Sequence, residues 1–369
     1  MLTDNDRISS WQMTVILVCV MNSTGLLKMP RTLGEQVGPD GWMSLIIGHA
    51  LALVMILVMV WLGQRFAGST FIEYSQQIIG RVPGWLVGLT AVVYWIVAAA
   101  RIMRVFSDIV KLFVLPRTPV ELIIITILLL SNYLARHGIE PLARMMEILF
   151  YLVVGLILGL ALLSIPTMDL TNLQPIFATS FRTILAGGLR TGARELEGIG
   201  VFLMLLPFML RPERAATVGT IGMGINLALH LVIFTTTISV FGIHALDLTW
   251  PVALLAQYAV VPGALVEHME ILFILVWITV AYTSIVIYIY LASLGLSRLF
   301  KMGEPSVLIC PILPIIYFIA LIPANVFTVE NLESLEKHLY IVVAWGFPSV
   351  LLLIAWIRST FTSQTPRGG

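Results

Sequence analysis

Long apolar runs follow one another along the whole chain, separated by short polar intervals. An α-helix needs about 20 apolar residues to cross the hydrocarbon core of a bilayer. Ten such runs are present, over 11–37, 42–64, 84–115, 119–136, 143–165, 177–210, 215–243, 264–297, 306–323 and 338–357. Two further stretches, Thr70 to Gly80 and Thr249 to Val260, are too short to cross and predict helices at the membrane interface. No linker or soluble segment interrupts the series, so the chain reads as one integral membrane domain over 1–369.

Two of the runs are broken internally. The first is interrupted by Asn22-Ser23-Thr24-Gly25. The sixth is interrupted by the stretch from Gly187 to Gly198, which carries Gly187, Gly188, Thr191, Gly192, Arg194, Glu195, Glu197 and Gly198. Unwound backbone at membrane depth is tolerated only where protein or a water-filled cavity satisfies it. Breaks at corresponding places in two halves are a pointer to a binding site near the bilayer midplane. Ten spans divide five and five, with a broken span opening each half, over about 8–166 and 177–358. An odd number of spans per half inverts one half relative to the other. The expected fold is an all-α polytopic membrane protein, ten transmembrane helices in a 5+5 inverted repeat, with helices one and six broken at mid-membrane.

Composition agrees with the pattern. The 369 residues are 59% hydrophobic and 11% charged, with a mean hydropathy of +0.99, whereas soluble domains carry about 25% charged residues. A net charge of +1 offers no basic field, so no nucleic-acid partner is expected. Cys19 and Cys310 both lie in apolar runs and suggest neither a disulfide framework nor a metal site. No cleavable signal peptide is read at the start, because the first run leads straight into its break. No Ser-His-Asp, metal-ligand or phosphate-loop pattern appears, so neither an enzyme nor a cofactor is expected.

The basic residues orient the chain. With the N-terminus inside, eleven Lys and Arg fall in cytoplasmic segments (Arg7, Arg65, Arg81, Arg136, Arg144, Arg211, Arg214, Arg298, Lys301, Arg358, Arg367). Four fall outside: Lys111, Arg117, Arg182 and Lys337. The positive-inside rule then puts both termini in the cytoplasm. The remaining six, Lys28, Arg31, Arg101, Arg104, Arg190 and Arg194, fall within spans.

The candidate site starts at the breaks. Asn22, Ser23 and Thr24 compete for backbone hydrogen bonds and Gly25 is a poor helix former. The half-helix after Gly25 would aim free N–H groups and its positive dipole end at the bilayer centre, which suits a carboxylate. The competing reading is a small-residue packing face. In span six, Arg190, Arg194, Glu195 and Glu197 would each cost roughly 2.5–3.5 kcal/mol against lipid, so they must face the interior, pair, or line a wet cavity. Arg194 and Glu197 stand at i, i+3 and could pair, and a structural ion-pair network is as good a reading as ligand contact. The outer half of span six, ending near Arg190, would offer carbonyls and a negative dipole end. A carboxylate site facing an ammonium site describes a zwitterion, and hence an α-amino acid. Span eight brings Thr279, Thr283, Ser284 and Tyr288, and span three Tyr94, Ala98 and Arg101 on one face. Ala98, Ser284 and Gly192 leave room for a side chain that Tyr94 and Tyr288 would limit. Glu140, Arg144 and Glu147, and also Glu267 and Glu270, read as solvated span ends.

The order and spacing of several short elements carry a resemblance. They are Gly25-Leu26-Leu27-Lys28-Met29-Pro30, Gly38-Pro39-Asp40-Gly41-Trp42, Arg65-Phe66 with Glu73-Tyr74 and Gly80, and Leu115-Pro116-Arg117-Thr118-Pro119. Tyr133-Leu134-Ala135-Arg136-His137-Gly138-Ile139-Glu140, Glu197 with Leu206-Pro207, and Glu270 with Trp277-Ile278 follow. Across about 350 residues the chain resembles the B subunit of endospore germinant receptors, a branch of the amino acid–polyamine–organocation transporter superfamily. The resemblance implies a LeuT-like fold that binds a small-molecule germinant, often an amino acid, between spans one, three, six and eight. It implies assembly with the receptor's A and C subunits in the spore inner membrane. Related transporters carry a lysine on span five in place of a sodium ion; here that span offers Arg144 and Glu147 instead. Thr283-Ser284 matches sodium-site hydroxyls of distant relatives. An amino acid transporter coupled to protons or sodium is the alternative function.

Overall fold

The computed structural model describes residues 6–23, 25–258, 269–323 and 328–362, and the backbone alone at 193–196, 243, 269–272 and 358–362. Fifteen α-helices occur among the described residues, joined by short 3₁₀ turns. Span one is two helices, α1 (Ser10–Met21) and α2 (Gly25–Val37). Spans two to five are α3 (Gly41–Arg65), α5 (Arg81–Phe113), α6 (Val120–Arg136) and α7 (Ile139–Ser164), with the interfacial α4 (Phe71–Ile79) after α3. Span six is α8 (Phe181–Ile199) and the short α9 (Phe202–Leu205). Spans seven to nine are α10 (Ala215–Phe241), α12 (Met269–Leu299) and α13 (Ser306–Leu321), with the second interfacial helix, α11 (Pro251–Tyr258), before α12. Span ten is α14 (Val329–Tyr340), a π-helical turn over Ile341–Gly346, and α15 (Phe347–Thr362). The ten-helix inverted repeat and both interfacial helices are thus as the sequence predicts.

Local signals explain the starts of several helices. Ser9 accepts from the Gln12 amide while the Gln12 side chain accepts from the Ser9 amide, a capping box that fixes the entry of α1. Glu73 accepts from both the amide and the hydroxyl of Thr70, opening α4. Buried Asp40, just before α3, accepts from the amides of Phe177 (2.8 Å) and Thr179 (2.9 Å), and so ties the approach to span six onto the start of span two. Ile8 pairs with Phe208 and Leu210 through its backbone, which pins the entry of span one to the exit of span six.

Spans three and eight form the middle of the molecule. In each, 72% of the most apolar stretch is buried, against 33% in spans five and ten. Trp95, Tyr94 and Phe106 of α5 and Tyr288 of α12 are among the largest fully buried side chains. The outward faces of α6 and α7 expose Leu129, Tyr133, Ile148 and Leu162, the arrangement expected of helices that meet lipid.

Two expectations shift. The stretch from Gly187 to Gly198 is not unwound: α8 is helical to Ile199, and the break falls at Gly200 and Val201. The reason is packing. A Cβ on Gly187 would meet Ser44 Oγ at 2.7 Å, one on Gly188 would meet Ile47 Cγ2 at 2.6 Å, and Gly192 sits against the backbone of Gly48. These glycines let α8 lie close on α3, the small-residue reading of a membrane helix. Span ten is also longer than its hydropathy indicates. It begins at Val329, because the polar turn holding Glu330, Glu333 and Glu336 continues the helix.

Candidate functional site

The two breaks meet at the centre. Met21, the last residue of α1, lies directly over Gly198, the last residue but one of α8. A side chain at 198 would collide with it, so Gly198 is what allows the two spans to touch here. Asn22 caps α1, its backbone amide donating back to Val18 O at 3.1 Å. Its side chain donates to Val18 O (2.8 Å) and to Asn226 Oδ1 of α10 (2.5 Å). Ser23 Oγ donates to Val20 O, and the Ser23 carbonyl accepts from the Trp277 indole of α12 at 2.5 Å. The unwound residues are therefore satisfied by α10 and α12, as backbone at membrane depth must be. Gly25 begins α2; Thr24 lies outside the described residues.

On the span-six side, the Glu197 carbonyl accepts from Tyr288 of α12 at 2.9 Å and the Gly192 carbonyl from Tyr340 of α14 at 3.4 Å. Tyr94 of α5 packs between these two phenols, with ring centroids 6.2 Å from Tyr288 and 6.0 Å from Tyr340. Gly200, at the break, faces the Tyr94 ring. Three tyrosines from three spans thus wall the end of α8.

The charge at the site comes from Arg101. Its guanidinium pairs with Glu197 at 3.0 Å and with Glu336 of α14 in a closer contact. Arg101 and Glu336 side chains are 5% and 1% exposed, while Glu197 is 23% exposed. Among the described side chains Glu197 pairs with Arg101; the expected pairing of Arg194 with Glu197 lies outside the described residues, as do the side chains of Arg194 and Glu195. A cavity of about 90 Å³ opens beside the cluster, between α2, α8 and α14, with Glu197, Tyr340, Arg190, Thr191, Glu333 and Lys337 on its polar side. It has room for several waters. Lys28 of α2 reaches Glu333 of α14 at 3.6 Å across its outer edge.

The remaining sequence-predicted residues are placed as follows. Ala98 is buried on α5, one turn from Tyr94. Thr191 is buried and donates to Gly187 O within its own helix. Thr283 and Ser284 are fully buried on α12, and both hydroxyls donate to Val280 O. Arg144 pairs with Glu140 at 2.6 Å and Glu147 accepts from Gln12, so that group closes the end of α7 onto α1. Glu267 lies outside the described residues, as does the side chain of Glu270. Sequence reasoning missed Glu336, Tyr340 and Asn226. A signal existed for the first two: Glu333, Glu336 and Tyr340 recur at helical spacing just ahead of the last apolar run.

Comparison with known proteins identifies the family and the fold. The spore germination protein family matches residues 7–328. The spore germination protein YndE of Bacillus subtilis (strain 168) is 30% identical over 357 residues, covering 96% of this chain and 98% of that one. Among solved structures, a sodium-coupled sialic acid symporter in a substrate-bound outward-open state aligns with a TM-score of 0.67 at 12% identity, over 92% of this chain and 80% of that one. MhsT in complex with L-phenylalanine aligns with a TM-score of 0.66 at 12% identity, over 94% and 98%. The fold is therefore the LeuT-like inverted repeat, and the chain belongs to the spore germination protein family, a permease-like family of multi-pass membrane proteins rather than of enzymes.

Proposed function

We propose that this member of the spore germination family is the germinant-sensing membrane subunit of a receptor. It binds a small zwitterion, an α-amino acid, between the breaks of spans one and six. It passes the resulting change to the receptor's A and C subunits, in the spore inner membrane and with both termini in the cytoplasm. The whole chain acts as one domain, with repeats over about 8–166 and 177–358. The observation that carries the reading is the meeting of the ends of α1 and α8 at Met21 and Gly198, with a polar cavity beside Glu197. The start of α2 offers amide donors and a positive dipole end for a carboxylate. The end of α8 offers carbonyls, a negative dipole end and the Glu197 carboxylate for an ammonium. Ala98 and Ser284 are small enough to leave space for a side chain that Tyr94 and Tyr288 would limit, whereas Gly192 serves the contact of α8 with α3. That a neighbour of the same fold is solved with L-phenylalanine supports this chemistry.

Ligand can shift a receptor only through its differential affinity for two states, and a broken helix provides two such states. Active transport of the amino acid with a proton or sodium is the second reading. The likeness to symporters and the buried Thr283 and Ser284 favour it. The deciding experiment is a binding panel of amino acids and nucleosides against the purified protein. Amino acids are expected to bind, and a methyl ester to bind more weakly by ~1.5–3 kcal/mol, the worth of a hydrogen bond to a charged group. Equal binding of acid and ester would rule the arrangement out and point to a nucleoside or sugar. Uptake of the labelled ligand into vesicles holding this chain alone would establish the transporter reading.

A further inference from the structure

Arg101 is bracketed by carboxylates from two different spans, Glu197 of α8 and Glu336 of α14. Among the described side chains, few titratable groups face this cluster. On α5 they are Arg101 and the Tyr94 phenol; on α12, the Tyr288 phenol; on α8, Arg190 and Glu197; on α14, Glu333, Glu336, Lys337 and Tyr340; and on α2, Lys28. Lys28 offsets Glu333, and the side chains of Arg190 and Lys337 stand exposed at the cavity edge. Among the described side chains, the buried part therefore holds two carboxylates for one guanidinium. A net charge left in a low-dielectric interior is strongly unfavourable, so such clusters take up a compensating charge. Glu336 Oε1 is buried and accepts no hydrogen bond from any described group, which leaves an oxygen able to carry a proton. Glu197 alone of the pair reaches the cavity.

We propose that Arg101, Glu197 and Glu336 form a cation-exchange site. Without ligand the two carboxylates share one bound proton. When a primary ammonium arrives from the cavity and pairs with Glu197, the carboxylic O–H breaks and that proton passes to solvent. The cluster is neutral in both states: one guanidinium, one carboxylate and one carboxylic acid before, and one guanidinium, two carboxylates and one ammonium after. Nothing is oxidised or reduced. The inference rests on the proposed placing of the ligand's ammonium at the end of α8. It adds that binding is linked to proton release through a carboxylate on span ten.

Calorimetry tests it, using whichever amino acid the binding panel selects, at one pH in phosphate and in Tris, whose ionisation enthalpies differ. Release of one proton makes the two apparent binding enthalpies differ by that amount. It also makes affinity rise as pH rises, by up to tenfold per pH unit through the titration of the cluster. Glu336→Gln leaves the bound cluster with one surplus positive charge, so it is expected to bind more weakly and to lose both effects, while Glu336→Asp keeps them. Should Glu336→Gln fail to fold, the comparison of buffers with the unaltered protein still decides. Equal enthalpies in the two buffers with a flat pH dependence overturn the proposal while leaving amino-acid binding intact. So does full proton release from Glu336→Gln, which would move the proton elsewhere, for instance to the His49–His230 pair of α3 and α10. Absence of any amino-acid binding removes the premise, and this inference with it.

Discussion

Arg101 holds more of the site together than any other side chain. It joins three spans through two ion pairs and is almost fully buried. Removing it strands two carboxylates inside the bundle. Breaking a buried pair from one side costs about 3–5 kcal/mol, whereas replacing both partners by apolar groups is often neutral. Arg101→Met is therefore expected to lower stability by about that amount in denaturant unfolding of the detergent-solubilised protein. Adding Glu336→Leu should recover a good part of it. A loss below ~1 kcal/mol for Arg101→Met, or no recovery in the double variant, would mean that the cluster is not the interior ion pair described. Arg101 and Glu197 were legible in the sequence, because a charge inside an apolar run must find a partner. Glu336 was not, since it lies two residues ahead of the last run as hydropathy draws it, and only the folded helix brings it under Arg101. Trp277 is a similar case. An indole in an apolar run reads as packing, and nothing in its spacing says that it donates to the Ser23 carbonyl.

At the scale of the helices, a cluster of glycines can mean a break or a close approach, and composition alone does not separate the two. In span one the run of Asn22, Ser23 and Gly25 does end a helix, because Asn and Ser turn their side chains back onto Val18 and Val20. In span six, Gly187, Gly188 and Gly192 remain helical, since each faces α3. The break about two turns later, at Gly200, needs no polar side chain of its own. This distinction yields a contrast. A Cβ on Gly48 of α3 would stand 2.8 Å from the Gly192 amide nitrogen and 2.9 Å from Thr191. Gly48→Val is thus expected to force α3 and α8 apart, at about 1–3 kcal/mol for overpacking. Gly155 and Gly159 of α7 have nothing within 4 Å of a Cβ, so Gly155→Val should fall within ~0.5 kcal/mol of the parent. Thermal unfolding in one detergent compares the two variants directly; equal effects would remove the packing explanation. Gly25→Val tests the other break. A branched side chain at the start of α2 should abolish ligand response while membrane insertion stays normal, and a normal response would place the pocket elsewhere.

For the molecule as a whole, the count of spans fixes parity and the basic residues fix sign. Ten crossings leave both termini on one side, and the connection between spans five and six on the other. The eleven-to-four distribution of Lys and Arg predicts that the side holding the termini is the cytoplasm. The connection is well suited to a test. Its backbone is docked, with the Asp169 amide donating to Ser239 O at 2.9 Å and Asn172 donating to the same carbonyl at 3.0 Å. Leu170 beside them is 67% exposed, so a thiol placed there is reachable without disturbing the loop. Cys19 is buried and silent, but Cys310 is exposed on α13 and would add background. Leu170→Cys in a Cys310→Ser chain is therefore expected to react with a membrane-impermeant maleimide in intact cells. A cysteine appended to either terminus should react only after permeabilisation. The opposite pattern would invert the orientation. It would then turn the cavity beside Glu197 and Lys337 toward the cytoplasm, leaving a receptor that could not meet its ligand from outside. Reaction of Leu170→Cys and a terminal cysteine from the same side would be more damaging, because parity itself would fail. The division into two inverted halves, on which the pairing of the breaks depends, would go with it.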